Sequence, residues 1–292
     1  MRRLSRYVVF LAIVGISVFW LVTRPETLPG DALDGLVADA GRGEQVFHAA
    51  GCASCHSAVG AEGEAVLVLS GGQSFPSPFG SFTAPNISSD PVHGIGAWSA
   101  MDLANAMKHG VSPDGQHYYP AFPYTTYARA SLQDIVDLRA YLATLPASEI
   151  ASQPHDVGFP FNIRRSLGGW KMLFADSTWV TEAPSPELER GRYLVEALGH
   201  CGECHTARNV LGGTDRSQWL AGAPDPSGKG NIPNIRPPAF DWVQADIIYY
   251  FESGFTPDFD SVGGHMAHVV ENLSKLKPED RAAIASYLLA LE

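Results

Sequence analysis

Cys52-Ala53-Ser54-Cys55-His56 and Cys201-Gly202-Glu203-Cys204-His205 hold all four cysteines of the 292-residue chain, and both read C-x-x-C-H. Four readings of such cysteines compete. An even cysteine count in an exported chain suggests disulfides, but pairing the thiols leaves the two following histidines without a purpose. A thioredoxin-like C-x-x-C needs a βαβ setting, and strand-like runs are scarce here. A zinc site needs its paired C-x-x-C elements closer together than these. Covalent haem attachment uses every residue of the pattern. On one helical turn the two thiols reach the two vinyl groups of one porphyrin, and the adjacent His lies beneath the iron. The spacing therefore marks Cys52, Cys55, Cys201 and Cys204 as attachment points for two haem c groups, with His56 and His205 as proximal iron ligands.

Working outward from the motifs, the chain repeats itself. Arg42-Gly43 lies ten residues before Cys52, and Arg190-Gly191 lies eleven before Cys201. The segments between, Gln45 to Ala50 and Tyr193 to Leu198, have apolar residues at helical spacing. Pro85-Asn86-Ile87 is echoed by Pro233-Asn234-Ile235, and Trp98 with Asp102 by Trp242 with Asp246. Each pair leads into a short helical pattern with a glycine stop, at Gly110 or Gly254. Asp134 precedes Tyr141-Leu142 as Asp280 precedes Tyr287-Leu288, with Ser131 and Pro278 at the helix starts. Each half thus reads helix, attachment motif, Gly/Pro-rich loop, helix, ligand loop, C-terminal helix. Residues 146–186 join the halves and carry five prolines, which argues against a flexible tether. Phe159 to Phe174 reads as a short helix packed between the halves, or alternatively as a membrane-surface helix using Arg164, Arg165 and Lys171.

A length of 292 residues suits two domains of roughly 100–200 residues or less plus an extra segment. Apolar residues at 45% indicate a globular chain, and a mean hydropathy of −0.03 excludes a polytopic membrane protein. One segment differs. Arg2, Arg3 and Arg6 precede an apolar run from Tyr7 to Val22. Sixteen residues rise about 24 Å as a helix, near the lower limit for a span. A cleaved signal peptide is the alternative, but no small-x-small cleavage pattern follows. Residues 1–27 are read as a signal-anchor, and the flanking arginines place the rest outside the cytoplasm. Removing that segment leaves 16 basic and 30 acidic side chains, a charge of −14. That argues against nucleic acid and against tight docking on anionic lipid.

The second axial position decides whether a haem only carries electrons. In the second half, Met266 in Gly263-Gly264-His265-Met266 is the expected sixth ligand, with a core-filling Met as the alternative. Counting back from Tyr141 lands on Tyr119 to Tyr124 in the first half, and aligning the two loops places Phe122 opposite Met266; Phe cannot ligate iron. His117, five residues upstream, is the first choice there. His109, Met107 and Met101 follow, and then an open iron under Phe122. Pro85 and Pro233 are candidates to hold the proximal His rings through their carbonyls, and Trp98 and Trp242 to border the haem edges. His48, His93, His155, His200, His265 and His268 read as ordinary surface or supporting residues.

The two motifs, together with Thr83-Ala84-Pro85-Asn86-Ile87, Gly94-Ile95-Gly96-Ala97-Trp98, Tyr119-Pro120-Ala121-Phe122-Pro123-Tyr124 and Phe159-Pro160-Phe161-Asn162, resemble the cytochrome c subunits of membrane-bound bacterial alcohol and gluconate dehydrogenases. The resemblance runs from about residue 39 to 292. It implies an all-α chain of two tandem class I cytochrome c domains, at 36–146 and 187–292, joined by a structured linker at 147–186. It also implies electron transfer from a periplasmic dehydrogenase toward quinone, another cytochrome or a terminal oxidase. The location would be the bacterial inner membrane, with the haem domains in the periplasm. Two departures stand out. Those subunits usually carry three haem motifs, and they usually place Met where this chain has Phe122. A haem enzyme acting at the first iron on thiosulfate or peroxide is therefore the rival reading, and a redox or gas sensor a third. No nucleotide loop or catalytic triad is visible, so no catalytic residue is assigned.

Overall fold

The computed structural model describes residues 2–226, 228, 230–239 and 241–291. It is mostly helical. Helix α1 (Arg2–Val22) stands exposed, and its Arg3–Val22 portion, with mean hydropathy 2.0, is long and apolar enough to cross a membrane. The first half contains α2 (Ala40–Ala49), α3 (Cys52–His56), α4 (Ala100–His109), α5 (Tyr124–Tyr127) and α6 (Leu132–Leu142). The linker forms α7 (Leu167–Phe174). The second half contains α8 (Pro186–Tyr193), α9 (Gly202–His205), α10 (Gln244–Ser253), α11 (His265–Leu273) and α12 (Pro278–Leu289). The strictly all-α expectation needs one correction. Each Gly/Pro-rich loop closes as a small antiparallel hairpin, Ser74–Ser77 with Gly80–Thr83 and Ala223–Pro224 with Asn231–Ile232.

The halves repeat the same packing. In each, the first helix crosses the last at a glycine. A Cβ on Gly43 would fall 2.0 Å from the Asp137 carbonyl oxygen, and one on Gly191 would fall 2.1 Å from that of Ala283. Only glycine lets backbones approach so closely. A forked arginine braces each crossing: Arg42 donates to Asp137 and Arg190 to Asp280, with Nε–carboxylate distances of 2.7 Å. The acid has moved one turn between halves. Asp134, which the sequence aligns with Asp280, instead accepts from the Tyr193 hydroxyl.

The extra residue between Arg190 and Cys201 is also visible. The helix entering the first motif is regular, whereas Leu194–Leu198 widens into a π-helical turn. Such a turn absorbs a one-residue insertion without breaking the helix. It carries Glu196, whose side chain is fully buried.

Helix α4 starts with a capping box, in which Ser99 Oγ accepts from Asp102 N at 3.1 Å and Asp102 accepts from Ser99 N at 2.8 Å. In α10, Val243 has no oxygen to offer, and only the arm from Val243 N to Asp246 survives, at 3.1 Å. The Asp that follows each Trp is thus a cap. Helix α7 touches α1 and both halves. Gly168 lies against Thr23, Lys171 donates to the carbonyls of His109 and Gly110, and Trp170 Nε1 donates to the Leu211 carbonyl at 2.8 Å.

Candidate haem sites

Each motif forms one helical turn entered through a left-handed residue. That residue is Gly51 (φ 59°) in the first half and His200 (φ 42°) in the second. The left-handed region costs a residue other than glycine roughly 1 kcal/mol. His200 uses the position to donate Nε2–H to the Ala50 carbonyl of the other half, at 3.2 Å.

His56 Nδ1 donates to the Pro85 carbonyl at 2.9 Å, and His205 Nδ1 to the Pro233 carbonyl at 2.8 Å. These bonds fix the ring planes and leave each Nε2 bare, the arrangement a metal-bound imidazole needs. Burial also pushes both imidazoles below the ordinary histidine value, against the pull of the carbonyls, so the rings are held neutral. The Pro-bearing loops reach the motifs at glycines. Gly71 N donates to the His56 carbonyl and Gly222 N to that of His205, both at 2.7 Å. Both glycines have positive φ, and a Cβ would meet the Ala84–Pro85 backbone at 2.4 Å or the Ile232 carbonyl oxygen at 2.8 Å.

No disulfide joins the four cysteines. Burial raises Cys52 and Cys201 to about 12 and Cys55 to about 11, and raises Cys204 as well. Among the described residues, no three His, Cys, Asp or Glu side chains are grouped to hold a bare metal ion. Two unpaired thiols and one oriented, neutral imidazole per motif fit covalently attached haem. Trp98 and Trp242 pack, half-buried, against the core of these sites.

After α4 and α10 the two ligand loops begin with the same bonding pattern. Val111 bridges His117 as Phe255 bridges Ser261, and the N–H of Tyr118 or Val262 closes on the carbonyl of Gly110 or Gly254. This register sets Phe122 against Met266, and both pack, half-buried, on the core. Phe122 lies in an aromatic nest, with ring centroids 5.8 Å from Tyr118 and 5.7 Å from Tyr127.

His117 is only 3% exposed, Nε2 donates to the Thr23 carbonyl at 2.8 Å, and Nδ1 accepts from Lys171 Nζ at 3.0 Å. Both ring nitrogens thus have protein partners. It ties the end of α1 to α7. His109 lies beside Glu26 and Lys171, and Met107 is buried in the core.

The motifs face each other. Ser54 and Glu203 hold the same place within C-x-x-C-H, and each is bound by the opposite half. Asn272 Nδ2 on α11 donates to Ser54 Oγ at 3.0 Å, and Thr126 Oγ1 on α5 donates to Glu203 at 2.7 Å. Arg208 pairs with the same carboxylate. His265, next to Met266, brings Nε2 to 4.0 Å from Cys55 Sγ. His48 meets Asn272 Oδ1 at 3.3 Å. Asn272, Thr126, His200 and His265 were not singled out by the sequence, because their role exists only once the halves dock.

Comparison with known proteins agrees with this geometry. Residues 40–146 match the family model "Cytochrome c". The chain is 56% identical over 288 residues to a "Diheme cytochrome c-type" protein of Cereibacter sphaeroides, covering 98% of this chain and 97% of that one. It is 36% identical to the "Fructose dehydrogenase cytochrome subunit" of Gluconobacter japonicus, over 85% of this chain and 51% of the subunit. It is 33% identical to the "Gluconate 2-dehydrogenase cytochrome c subunit" of Pantoea cypripedii, over 86% and 59%. The chain thus spans about half the length of those dehydrogenase subunits, and nearly all of the dihaem protein. By sequence and by its attachment turns, this chain belongs to the cytochrome c family, alongside the dihaem c-type cytochromes and the cytochrome c subunits of dehydrogenases.

Proposed function

We propose that this chain is a dihaem electron carrier, anchored by α1, that relays electrons from a periplasmic dehydrogenase toward quinone, another cytochrome or a terminal oxidase. In this reading residues 36–146 and 187–292 each form one haem domain, and 147–186 braces them at the membrane surface. Bound haem c supplies a one-electron iron couple. The chain's own residues do the rest. Cys52, Cys55, Cys201 and Cys204 tether the two groups, and His56 and His205 offer Nε2 to iron. Pro85 and Pro233 hold those rings, and Met266 offers its thioether to the second iron. The observation that carries the proposal is the reciprocal docking of the two motifs, Ser54 on Asn272 and Glu203 on Thr126. It docks each attachment turn on a helix of the opposite half, which supports a relay.

The test is a membrane preparation with and without the chain. A haem stain and pyridine haemochrome count should give two haems per chain. Dehydrogenase-dependent reduction of both haems, followed by oxidase- or quinone-dependent reoxidation, supports the relay. Haems that no membrane dehydrogenase reduces would sink it. Phe122 favours a second reading, in which the first site works on a small molecule such as thiosulfate or peroxide. Turnover of either compound by the purified chain would support that reading.

A further inference from the structure

The shared register of the ligand loops extends back into the preceding helices. Gly110 and Gly254 both cap their helices in the left-handed conformation. Three residues before each cap stand Met107 on α4 and Phe251 on α10. Twelve residues after each cap stand Phe122 and Met266. One half therefore carries Met on the helix before the cap and Phe in the loop after it, and the other carries Phe on the helix before the cap and Met in the first turn of α11 after it. The pair has been exchanged, so each half keeps one thioether and one phenyl ring and conserves its packing volume.

The remaining side chains point the same way. Of five methionines, Met172 is 66% exposed on the linker and Met101 lies half-exposed in the first turn of α4. Met107 is 3% exposed and shares the core with Ala53 of the first motif and with Tyr127. Phe251, its counterpart, is 6% exposed in the same core. His117 is spent on Thr23 and Lys171. A long unbranched thioether is the side chain best able to reach an iron from a helix.

We infer that Met107 is the sixth ligand of the first haem iron, with Phe122 filling the space that Met266 occupies in the second half. The inference rests on the dihaem reading. It assigns two His/Met centres, His56 with Met107 and His205 with Met266.

The test uses the purified full-length ferric holoprotein, read by low-temperature EPR and by the long-wavelength sulfur-to-iron charge-transfer absorption. Wild type should show two low-spin centres and no carbon monoxide binding on reduction. Met107→Leu should remove half of the charge-transfer intensity, turn one haem high-spin and let it bind carbon monoxide. Met107→Phe alone should do the same, and Met107→Phe with Phe122→Met should restore the lost band. Met107→His should give a bis-histidine signal at one haem. Rescue by exchange and a new signature with His are outcomes that a merely structural methionine would not produce. An unchanged spectrum in Met107→Leu or Met107→His overturns the assignment, as does a wild-type protein with only one His/Met centre. A haemochrome count of one haem per chain would instead overturn the dihaem reading, and this inference with it.

Discussion

Replacing Glu196 with Gln preserves shape and changes one atom, yet the structure makes it costly. The carboxylate is fully buried within the π-helical turn. It accepts from Val180 N at 2.6 Å on one oxygen, and from Thr181 N at 3.2 Å and the Tyr287 hydroxyl at 2.7 Å on the other. Every partner is a donor, and two are backbone N–H groups that cannot reverse. Whichever way a Gln amide turns, its NH2 faces one of them. The Tyr287 hydroxyl has little freedom to compensate, because it already accepts from Trp219 Nε1 at 3.1 Å. An orphaned buried donor costs about 1–3 kcal/mol, and weakening its neighbours brings the total to roughly 2–4 kcal/mol. At about 2–4 °C per kcal/mol for a folded unit of roughly 150–250 residues, the melting midpoint should fall by roughly 4–16 °C. Thermal unfolding followed by haem absorbance and circular dichroism measures it. Trp219 rests on Gly202 of the second motif, where an added Cβ would meet its ring at 2.1 Å. The spectrum of the second haem should therefore change and that of the first should not. A Glu196→Gln protein that melts within about 1 °C of wild type would refute the all-donor account of this network.

Three further outcomes are expected. Gly43→Ala and Gly191→Ala each drive a methyl into helix backbone, so each should cost about 3 kcal/mol, the top of the overpacking range, in denaturant titration; midpoints equal to wild type would mean the crossings can open. Glu203→Ala strips the acceptor from Thr126 and should loosen the halves by about 1–3 kcal/mol, read as faster amide exchange in α5 and α9, and unchanged exchange would count against the docking. Burial pushes the Lys171 ammonium from 10.5 down to about 7. The unfolded chain then holds a proton that the folded chain lacks between those values, so stability should rise as pH goes from about 7 toward 10.5. Lys171→Met should flatten that slope, and an identical slope in the variant would remove Lys171 as its source.

How much was legible in the sequence depends on whether a feature is local. The attachment turns, the helix caps at Asp102 and Ser131, and the Pro85 and Pro233 carbonyls all act on neighbours or on a loop the repeat already marks. Their chemistry could be read from spacing. The extra residue before Cys201 was legible as a count, and the π turn is what that count becomes in three dimensions. The arginine braces were half legible: both arginines align, but a helix offers an acid on the same face at either of two successive turns, and the halves chose differently. The Thr126–Glu203 and Asn272–Ser54 bonds were illegible, since hydroxyl and amide pairs far apart in sequence leave no periodic trace. The bonds of His117 were illegible for a related reason. Its partners, Thr23 and Lys171, belong to α1 and α7, so its lone pairs looked free when only the loop was considered.

Those bonds also separate the two loops mechanically. In the first half, His117 and the Gly110 carbonyl are both held by Lys171, and Arg165 grips Thr23 Oγ1 at 3.0 Å while stacking on Trp20. The loop bearing Phe122 is thereby strapped to the end of α1 through α7. In the second half the position of His117 is taken by Ser261, which is exposed, and the loop continues through exposed Gly263 and Gly264, the latter at φ 58°. A loop of that kind can bring a side chain over a ring without disturbing anything else. A strapped loop cannot be adjusted independently of α1. The strap reaches α4 as well, since Lys171 also holds the His109 carbonyl and Leu28 N donates to Asn105 Oδ1 at 2.8 Å. With Met107 on that tied helix and Met266 just after the exposed Gly263 and Gly264, the exchange of Met and Phe gives the first half a thioether on a fixed element and the second half one beside an adjustable turn.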